Sequence, residues 1–274
     1  MISWIFILLT PLIGGVIYGV ERVVKARMQN RVGPPILQPF YDMYKLLAKE
    51  PVYINSPHIV YAILHMLTLW LAVAMVILGY SLLYVIFIHL VASIFLVLAG
   101  FSVRSIYSHI GANRELQTIV AYEPILILIA VGFYMVNGSF DTNMIFQNSS
   151  SLDEMFLLFL ALLLIIPIKL KKSPFDAAEA HQEIVGGVEL EYSGLFFEIL
   201  YMAKWIEYIF IYSLVFLFAG DNLLIGLFLS ILVFFIINLL DNSTARVKIE
   251  HLVKIVLSVG ILLCLINIIG LKYV

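Results

Sequence analysis

The stretch Lys169–Tyr208, KLKKSPFDAAEAHQEIVGGVELEYSGLFFEILYMAKWIEY, concentrates negative charge in a chain that is otherwise 63% hydrophobic. It holds seven of the eighteen acidic residues of this 274-residue protein. Those seven are Asp176, Glu179, Glu183, Glu189, Glu191, Glu198 and Glu207. Carboxylates are costly close to a bilayer, so the cluster indicates a functional site.

The first half of this stretch has the signature of a helix start. Ser173 suits the N-cap, Pro174 suits the first turn, and Asp176 completes a capping-box pattern. The predicted helix runs to about Val185 and ends at Gly186 and the glycine that follows. On it, three acids share one face, and His181 points elsewhere; the three are Asp176, Glu179 and Glu183.

A second predicted helix begins near Ser193 and enters an apolar run. Glu191 and Glu198 share a face if this helix extends back to Glu191. Lys204 and Glu207 lie roughly opposite, three residues apart, and are able to pair. The cluster therefore predicts proton handling or charge coupling.

A plain structural interpretation covers only part of the cluster. Capping explains Asp176, and a solvated surface face explains Glu179 and Glu183. Neither explains the charged residues inside the apolar segment, which are Glu198, Lys204 and Glu207.

The composition identifies an integral membrane protein. Mean hydropathy is +1.06 and only 12% of residues are charged, which a soluble globular domain does not show. The single cysteine, Cys264, excludes an internal disulfide and a cysteine-ligated iron–sulfur or nickel centre within this chain.

Histidines and net charge give weaker signals. The six histidines are scattered, and a haem between His58 and His65, or between His65 and His89, is an alternative to ordinary core histidines. The formal net charge of −2 points to no nucleic-acid partner.

Apolar runs predict an all-α protein with eight spanning helices, a surface amphipathic helix and a short acidic loop helix. The predicted spans are 2–21, 58–80, 83–101, 118–137, 153–170, 194–217, 222–240 and 252–272. We expect one membrane domain over residues 1–274. Fourteen of the sixteen basic residues fall on one side, so the positive-inside rule places the odd-numbered loops in the cytoplasm.

Two of these loops have an organisation of their own. The loop 22–57 contains a helix opening at Gln38 with an apolar face, which predicts an interfacial helix on the cytoplasmic surface. The acidic cytoplasmic loop covers 171–193. Early in the fourth predicted span, Glu123 precedes Pro124, which loosens the backbone ladder and admits water or side chains; a structural pairing with an arginine is the alternative.

Three segments resemble the complex I subunit 1 family. The first reads RMQNRVGP at 27–34 and continues to Gln38, Asp42 and Lys45; the second reads IGANR at 110–114 and continues to Glu123. The third joins SPFD at 173–176 to EYSG at 191–194. Their order and spacing cover essentially the whole chain.

The resemblance implies a membrane subunit beneath a hydrophilic electron-transfer arm. It implies a path of acids toward antiporter-like subunits, here Glu123, Asp176, Glu179, Glu183, Glu191, Glu198 and Glu207, with Lys204 beside them. It also implies a docking platform for the arm, which we assign to Arg27, Arg31, Gln38, Asp42, Lys45 and Arg114. The resemblance implies no cofactor in this chain, iron–sulfur clusters and a NiFe centre in partner chains, and a cavity that holds lipid or quinone.

Two departures favour one branch of the family. The compact segment Gly33–Pro39, and His181 where respiratory members often have an acid, look more like membrane-bound [NiFe] hydrogenases and archaeal sulfur-reducing complexes. We therefore expect a non-redox subunit of a ferredoxin-dependent, ion-translocating archaeal hydrogenase. Its partners would be hydrogenase-like large and small subunits, a ferredoxin-like subunit and antiporter-like subunits.

Three alternatives stay open. The first is a sulfur-reducing or quinone-reducing complex with the same architecture. The second is an autonomous secondary transporter, which the lack of an inverted repeat disfavours. The third is a structural anchor whose acids are all in salt bridges.

Overall fold

A computed structural model of the protein describes residues 2–273. Twelve α-helices account for most of these residues, and no β-strand occurs among them. The helices are α1 Ile2–Met28, α2 Gln38–Leu47, α3 Ser56–Leu78, α4 Leu82–Phe101, α5 Ile106–Asn137, α6 Thr142–Gln147, α7 Phe156–Lys169, α8 His181–Ile184, α9 Gly194–Leu217, α10 Leu223–Ser243, α11 Ile249–Ile255 and α12 Ile261–Tyr273. A 3-10 turn occupies Gly187–Glu191, and a π turn at Val256–Gly260 joins α11 to α12. The predicted all-α class is confirmed.

Seven helices in the described part of the chain are long and apolar enough to cross a membrane. They are α1, α3, α4, α5, α9, α10 and the continuous helix Ile249–Tyr273. The fifth predicted span appears as α7, which is apolar but only 14 residues long, below the roughly 20 residues that a perpendicular span needs. Just before it, residues 152–155 form turns, and Ser151 donates its N–H to the Phe218 carbonyl (3.2 Å).

The fourth predicted span begins earlier than its hydropathy indicates. Helix α5 starts at Ile106 rather than near 118, and the Ser105 side chain accepts a hydrogen bond from the Ser108 N–H at 3.5 Å. Arg114 and Glu115 therefore lie on a helix and not in an irregular loop. The first part of α5 is polar, so its hydropathy did not indicate a helix.

Helices α5 and α9 carry much of the buried core. Trp205, Phe210 and Phe133 are among the largest fully buried side chains. Helix α9 contacts α1, α2, α3, α7 and α10. Because the last part of the acidic stretch lies on α9, this helix links the stretch to most of the helical assembly.

Tight turns set the hairpins. Helix α3 ends at Gly79, whose φ of +87° lies in the left-handed region, where glycine has no Cβ penalty. Helix α10 begins after Asn222, whose side-chain oxygen accepts hydrogen bonds from the N–H groups of Leu224 and Ile225 at 3.1 and 3.2 Å. These turns join α3 to α4 and α9 to α10 as hairpins.

Candidate functional site

The acidic segment 170–193 forms turns where a long helix was predicted. Ser173 is not an N-cap, because its N–H donates to Asp241 (3.0 Å) and its hydroxyl donates to the Thr244 carbonyl (2.9 Å). Only His181–Ile184 is helical before the 3-10 turn. The prediction of a helix from Ser173 to about Val185 was therefore wrong.

The three acids expected on one helix face separate into two environments. Asp176 accepts two hydrogen bonds from Arg246, at 2.6 and 2.9 Å. Glu183 is exposed and lies 2.8 Å from Arg114 and 3.5 Å from Arg246, and the bond from Arg114 lowers the pKa of Glu183. Glu179 turns inward instead. The segment is thus fixed from α5 and from the connection between α10 and α11.

Two lysines bridge three acids on the inner side. Lys171 Nζ lies 2.6 Å from Glu115 and 2.5 Å from Glu179. Lys204 Nζ lies 3.0 Å from Glu179 and 2.8 Å from Glu189. We call the row Glu115–Lys171–Glu179–Lys204–Glu189 the bridging chain. The predicted pair of Lys204 with Glu207 was wrong, since Lys204 extends toward the loop instead.

The bridging chain sets opposite pKa shifts on its two loop acids. Burial raises the pKa of Glu189 to about 7, and the nearby Glu179 carboxylate contributes to this rise. Burial alone would also raise the pKa of Glu179, but Lys171 and Lys204 outweigh it and hold that pKa well below its usual range. Compared with a free glutamate, Glu179 therefore favours the ionised form and Glu189 favours the protonated form.

A second group of charges surrounds Glu207. Its Oε1 lies 3.1 Å from Lys169 Nζ and 3.1 Å from His89 Nε2. Lys169 also donates to the Tyr122 hydroxyl at 3.2 Å, and that hydroxyl donates to Ser93 at 3.0 Å. This network joins α4, α5, α7 and α9.

A third pair ties the loop to α1. Lys172 Nζ lies 3.1 Å from Glu21, whose carboxylate also accepts a hydrogen bond from the Tyr208 hydroxyl. A cavity of about 200 Å³ connects the three groups. Among the charged residues that line it are Glu115, Lys169, Lys171, Lys172, Glu179, Glu189, Lys204 and Glu207.

Two carboxyl groups inside spanning helices stand apart from these networks. Glu123 and Glu198 are 6% and 2% exposed. Within residues 2–273, neither oxygen of either group has a hydrogen-bond partner. A buried ionised carboxylate without a partner is strongly disfavoured, which sets these two groups apart from the acids that are held in ion pairs. The alternative of a structural pairing between Glu123 and an arginine is not met among the described residues.

Glu191 does not share a helix face with Glu198. It ends the 3-10 turn, and α9 begins only at Gly194, with Ser193 in extended backbone before it. Its side chain is half-buried. The prediction that Glu191 and Glu198 share a face required a helix that extends back to Glu191, and α9 does not extend that far.

The residues assigned to docking lie on three helices and one connection: Arg27 lies in the last turn of α1, Arg31 follows that helix, Gln38, Asp42 and Lys45 lie on α2, and Arg114 lies on α5. Asp42 accepts hydrogen bonds from Arg22 at 2.8 Å and from Gln38 at 2.9 Å. Arg27, Arg31 and Lys45 are exposed. Arg114 lies apart from them and donates to the Ala177 carbonyl at 2.8 Å.

Several residues of the charged networks were missed at the sequence level. The lysines of the KLKK run served only to predict orientation, and two acids early in the chain were assigned no role. The missed residues are Glu21, Glu115, Lys169, Lys171 and Lys172. Glu189 was counted in the acidic cluster but received no individual role. The available signal was the run itself: three lysines beside an apolar segment require partners.

The histidines of the haem alternative each contact the protein. His89 stacks on Phe210 at 4.2 Å, and His58 stacks on Tyr192 at 3.7 Å. His65 Nδ1 lies 2.7 Å from the Ala92 carbonyl. Between residues 2 and 273, no group of three or more histidine, cysteine, aspartate or glutamate side chains has the geometry to hold a metal ion.

Fold and charges together define a class: an all-α membrane protein in which buried ion pairs run from a surface loop into the spanning helices. Comparison with known proteins identifies the family within this class. The sequence matches the NADH dehydrogenase family over residues 1–272. The chain therefore belongs to that family, the complex I subunit 1-like membrane proteins, and the resemblance stated above is confirmed.

Curated relatives are similar over about three quarters of the chain. They are membrane-complex components named as subunits of NADH-quinone oxidoreductase. The one from Thermomicrobium roseum is 30% identical over 247 residues, 74% of this chain and 72% of the relative. The one from Ruthia magnifica is 31% identical, over 68% of this chain and 59% of the relative. The one from Bacillus cytotoxicus is 29% identical, over 76% of this chain and 69% of the relative.

A solved structure has the same fold over almost the full length. It is described as the membrane-bound sulfane sulfur reductase, an archaeal respiratory membrane complex. The match has a TM-score of 0.90 at 23% identity and covers 98% of both chains.

Proposed function

We propose that this chain is the membrane anchoring and coupling subunit of a ferredoxin-dependent, ion-translocating membrane-bound hydrogenase complex. The observation that carries the proposal is the continuous set of buried charges from the loop into α5, α7 and α9. Ion pairs removed from water stabilise a fold little and can cost stability. So many of them in one membrane domain are best explained by charge movement.

In this proposal, electron transfer takes place in partner chains docked on the loop side. The one cysteine of this chain is buried and cannot ligate a cluster alone. Partner subunits would carry the iron–sulfur clusters and the NiFe centre, and antiporter-like subunits would lie beside this one. The exposed Arg27, Arg31 and Lys45 would contact the hydrophilic arm in the cytoplasm, following the positive-inside rule.

Coupling would start in the segment 170–193. Asp176, Glu179 and Glu183 are each held by a cation from another part of the chain. A shift of the loop therefore changes several ion pairs at once, and with them the proton affinity of neighbouring acids. A proton would then move along Glu191, Glu198 and Glu123, while Glu207 and Lys204 adjust the local field.

A second candidate is the same subunit in a sulfur-reducing complex. The similar fold over 98% of both chains favours it, as does the compact segment Gly33–Pro39. A quinone-reducing complex is the third candidate, suggested by the names of the curated relatives. All three share the coupling role and differ in the electron acceptor.

The test begins with the intact complex in mild detergent. Nickel in the sample, together with hydrogen evolution from reduced ferredoxin, would support the hydrogenase. Activity toward polysulfide without nickel would keep the architecture and move the acceptor to sulfur. Quinone reduction without nickel would indicate that the complex is a quinone-reducing respiratory one. Transport by the purified chain alone would favour the autonomous transporter.

The coupling role is tested separately in vesicles. Glu191→Gln should lower the number of ions translocated per electron pair, because the amide cannot carry a proton. Glu250→Gln is the matched control, since Glu250 is an exposed glutamate on α11. An unchanged ion-to-electron ratio in Glu191→Gln would remove Glu191 from the path.

A further inference from the structure

Two cavities meet at the loop and share part of their walls. The inner cavity is the one that connects the charged networks, about 200 Å³ in volume. A second pocket of about 320 Å³ lies between the end of α2 and the start of α9. His181 and Glu189 line both. They are therefore the titratable side chains through which the two spaces adjoin.

The two residues differ in their access to water. His181 begins α8 and is exposed, whereas Glu189 is 9% exposed. The imidazole lies against Gly186: a Cβ built on that glycine would be 3.3 Å from His181 Cε1 and Nδ1. Gly186 has a φ of +105°, a conformation that favours glycine. The turn thus keeps one side of the ring clear of a neighbouring side chain.

We propose that His181 and Glu189 pass protons between the outer pocket and the bridging chain. The proposal rests on the coupling role given above and adds two residues to it. The imidazole takes up a proton at one nitrogen from the outer pocket. It releases a proton from the other nitrogen to a carboxylate oxygen of Glu189, directly or through one water molecule. His181 is again neutral afterwards, and one proton has moved inward.

The surrounding charges give this transfer a consequence. Other charged side chains line the two cavities beside His181 and Glu189. Lys49 lines the outer pocket, and Lys171, Glu179 and Lys204 line the inner cavity. Lys204 is shared between Glu179 and Glu189. When Glu189 becomes neutral, Lys204 pairs with Glu179 alone. Proton uptake is thereby converted into a change of pairing on α9.

The glutamate is suited to this exchange near neutral pH. Burial, followed by the proximity of Glu179, raises the pKa of Glu189 to about 7. Histidine is the side chain commonly used for proton transfer in the same range.

The test uses the intact complex in vesicles, driven by reduced ferredoxin. The measured quantity is the number of protons translocated per electron pair, so a loss of correctly assembled complex does not alter it. His181→Ala should lower this ratio, because Glu189 then loses the group that delivers protons from the outer pocket while electron transfer in the partner chains continues. Free imidazole added to His181→Ala should restore the ratio, because the deleted ring leaves space beside Gly186.

His251→Ala is the matched control, since His251 is an exposed histidine on α11 that lines neither cavity; it should behave as wild type with or without imidazole. Glu189→Gln should also lower the number of protons translocated per electron pair, and added imidazole should not restore it. If His181→Ala fails to assemble, His181→Gln replaces it, and a reduced ratio of protons to electrons supports the proposal. A wild-type ratio in either His181 variant overturns it.

The two levels of inference fail in different ways. If the wild-type complex translocates no ion, the coupling role itself is wrong. If the wild type translocates ions and Glu191→Gln abolishes this, while the His181 and Glu189 variants match wild type, only the proton route proposed here is wrong.

Discussion

Replacing Lys204 with methionine removes the cation that two buried acids share. In the native protein Lys204 Nζ lies 3.0 Å from Glu179 and 2.8 Å from Glu189. Glu179 keeps a second partner, Lys171, at 2.5 Å. Glu189 has no other ion pair among the described residues. The variant therefore leaves one nearly buried carboxyl group without a cation, in the turn that leads into α9.

The size of the effect follows from this imbalance. Removing one partner of a buried ion pair costs about 3–5 kcal/mol. Proton uptake by Glu189 lessens the cost, because its pKa is already raised to about 7 by burial and by Glu179. We expect opening of the loop to become easier by about 3 kcal/mol near neutral pH. That corresponds to roughly a hundredfold faster amide exchange.

The assay is hydrogen–deuterium exchange of the intact complex, read on peptides covering residues 177–191. Lys254→Met is the matched control, because Lys254 is an exposed lysine on α11 and its replacement should leave these peptides unchanged. The double variant Lys204→Met with Glu189→Gln should recover to within about 1 kcal/mol of wild type, since both charges are then gone. Native exchange in the single variant, or a double variant that exchanges as fast as the single one, would refute the reasoning.

Three further predictions concern the same loop. Gly111→Ala should destabilise the packing of α5 on the 3-10 turn by about 1–3 kcal/mol, because its Cβ would lie 2.6 Å from a Cα of that turn. Thermal inactivation of the complex measures this loss. Gly270→Ala is the control and should match wild type, because the space around its Cβ is open. Arg246→Lys should expose the loop to protease more than wild type, because lysine cannot reproduce the two-pronged bond to Asp176, and equal cleavage would contradict it. Glu189 should give an infrared carboxylic-acid band that is present below about pH 7 and lost above it, identified by its absence in Glu189→Gln. Since the raised pKa means that the folded state holds this proton more tightly, the associated stability is present at low pH and declines as pH rises through about 7. An infrared band that does not change with pH would contradict the raised pKa of Glu189.

The sequence predicts the spanning helices well because bilayer length and apolar composition are properties of a single segment. It predicts their ends poorly where polar residues continue a helix. Arg114 and Glu115 were assigned to a loop, yet both lie on α5. Their charges are accommodated by Glu183 and Lys171 from the loop, which no local pattern reveals.

The acidic loop shows the limit of local signatures most directly. The capping pattern at Ser173 is typical of a helix start, but its N–H and hydroxyl are bonded to residues about seventy positions later. The spacing of Lys204 and Glu207 is typical of a pair on one helix, but the long lysine side chain extends from α9 to two loop acids. In both cases a distant partner competes with a near one and forms the bond.

The contact between Asp176 and Arg246 also orders the assembly of the protein in time. Seventy residues separate the two partners, and α9 and α10 lie between them. While the chain is being synthesised, the loop is complete long before its arginine emerges. Both intervening helices must be synthesised before Arg246 can reach Asp176, so an arrest of synthesis after α9 would leave this carboxylate without its two hydrogen bonds. The final shape of the loop therefore depends on a residue that is synthesised two helices later.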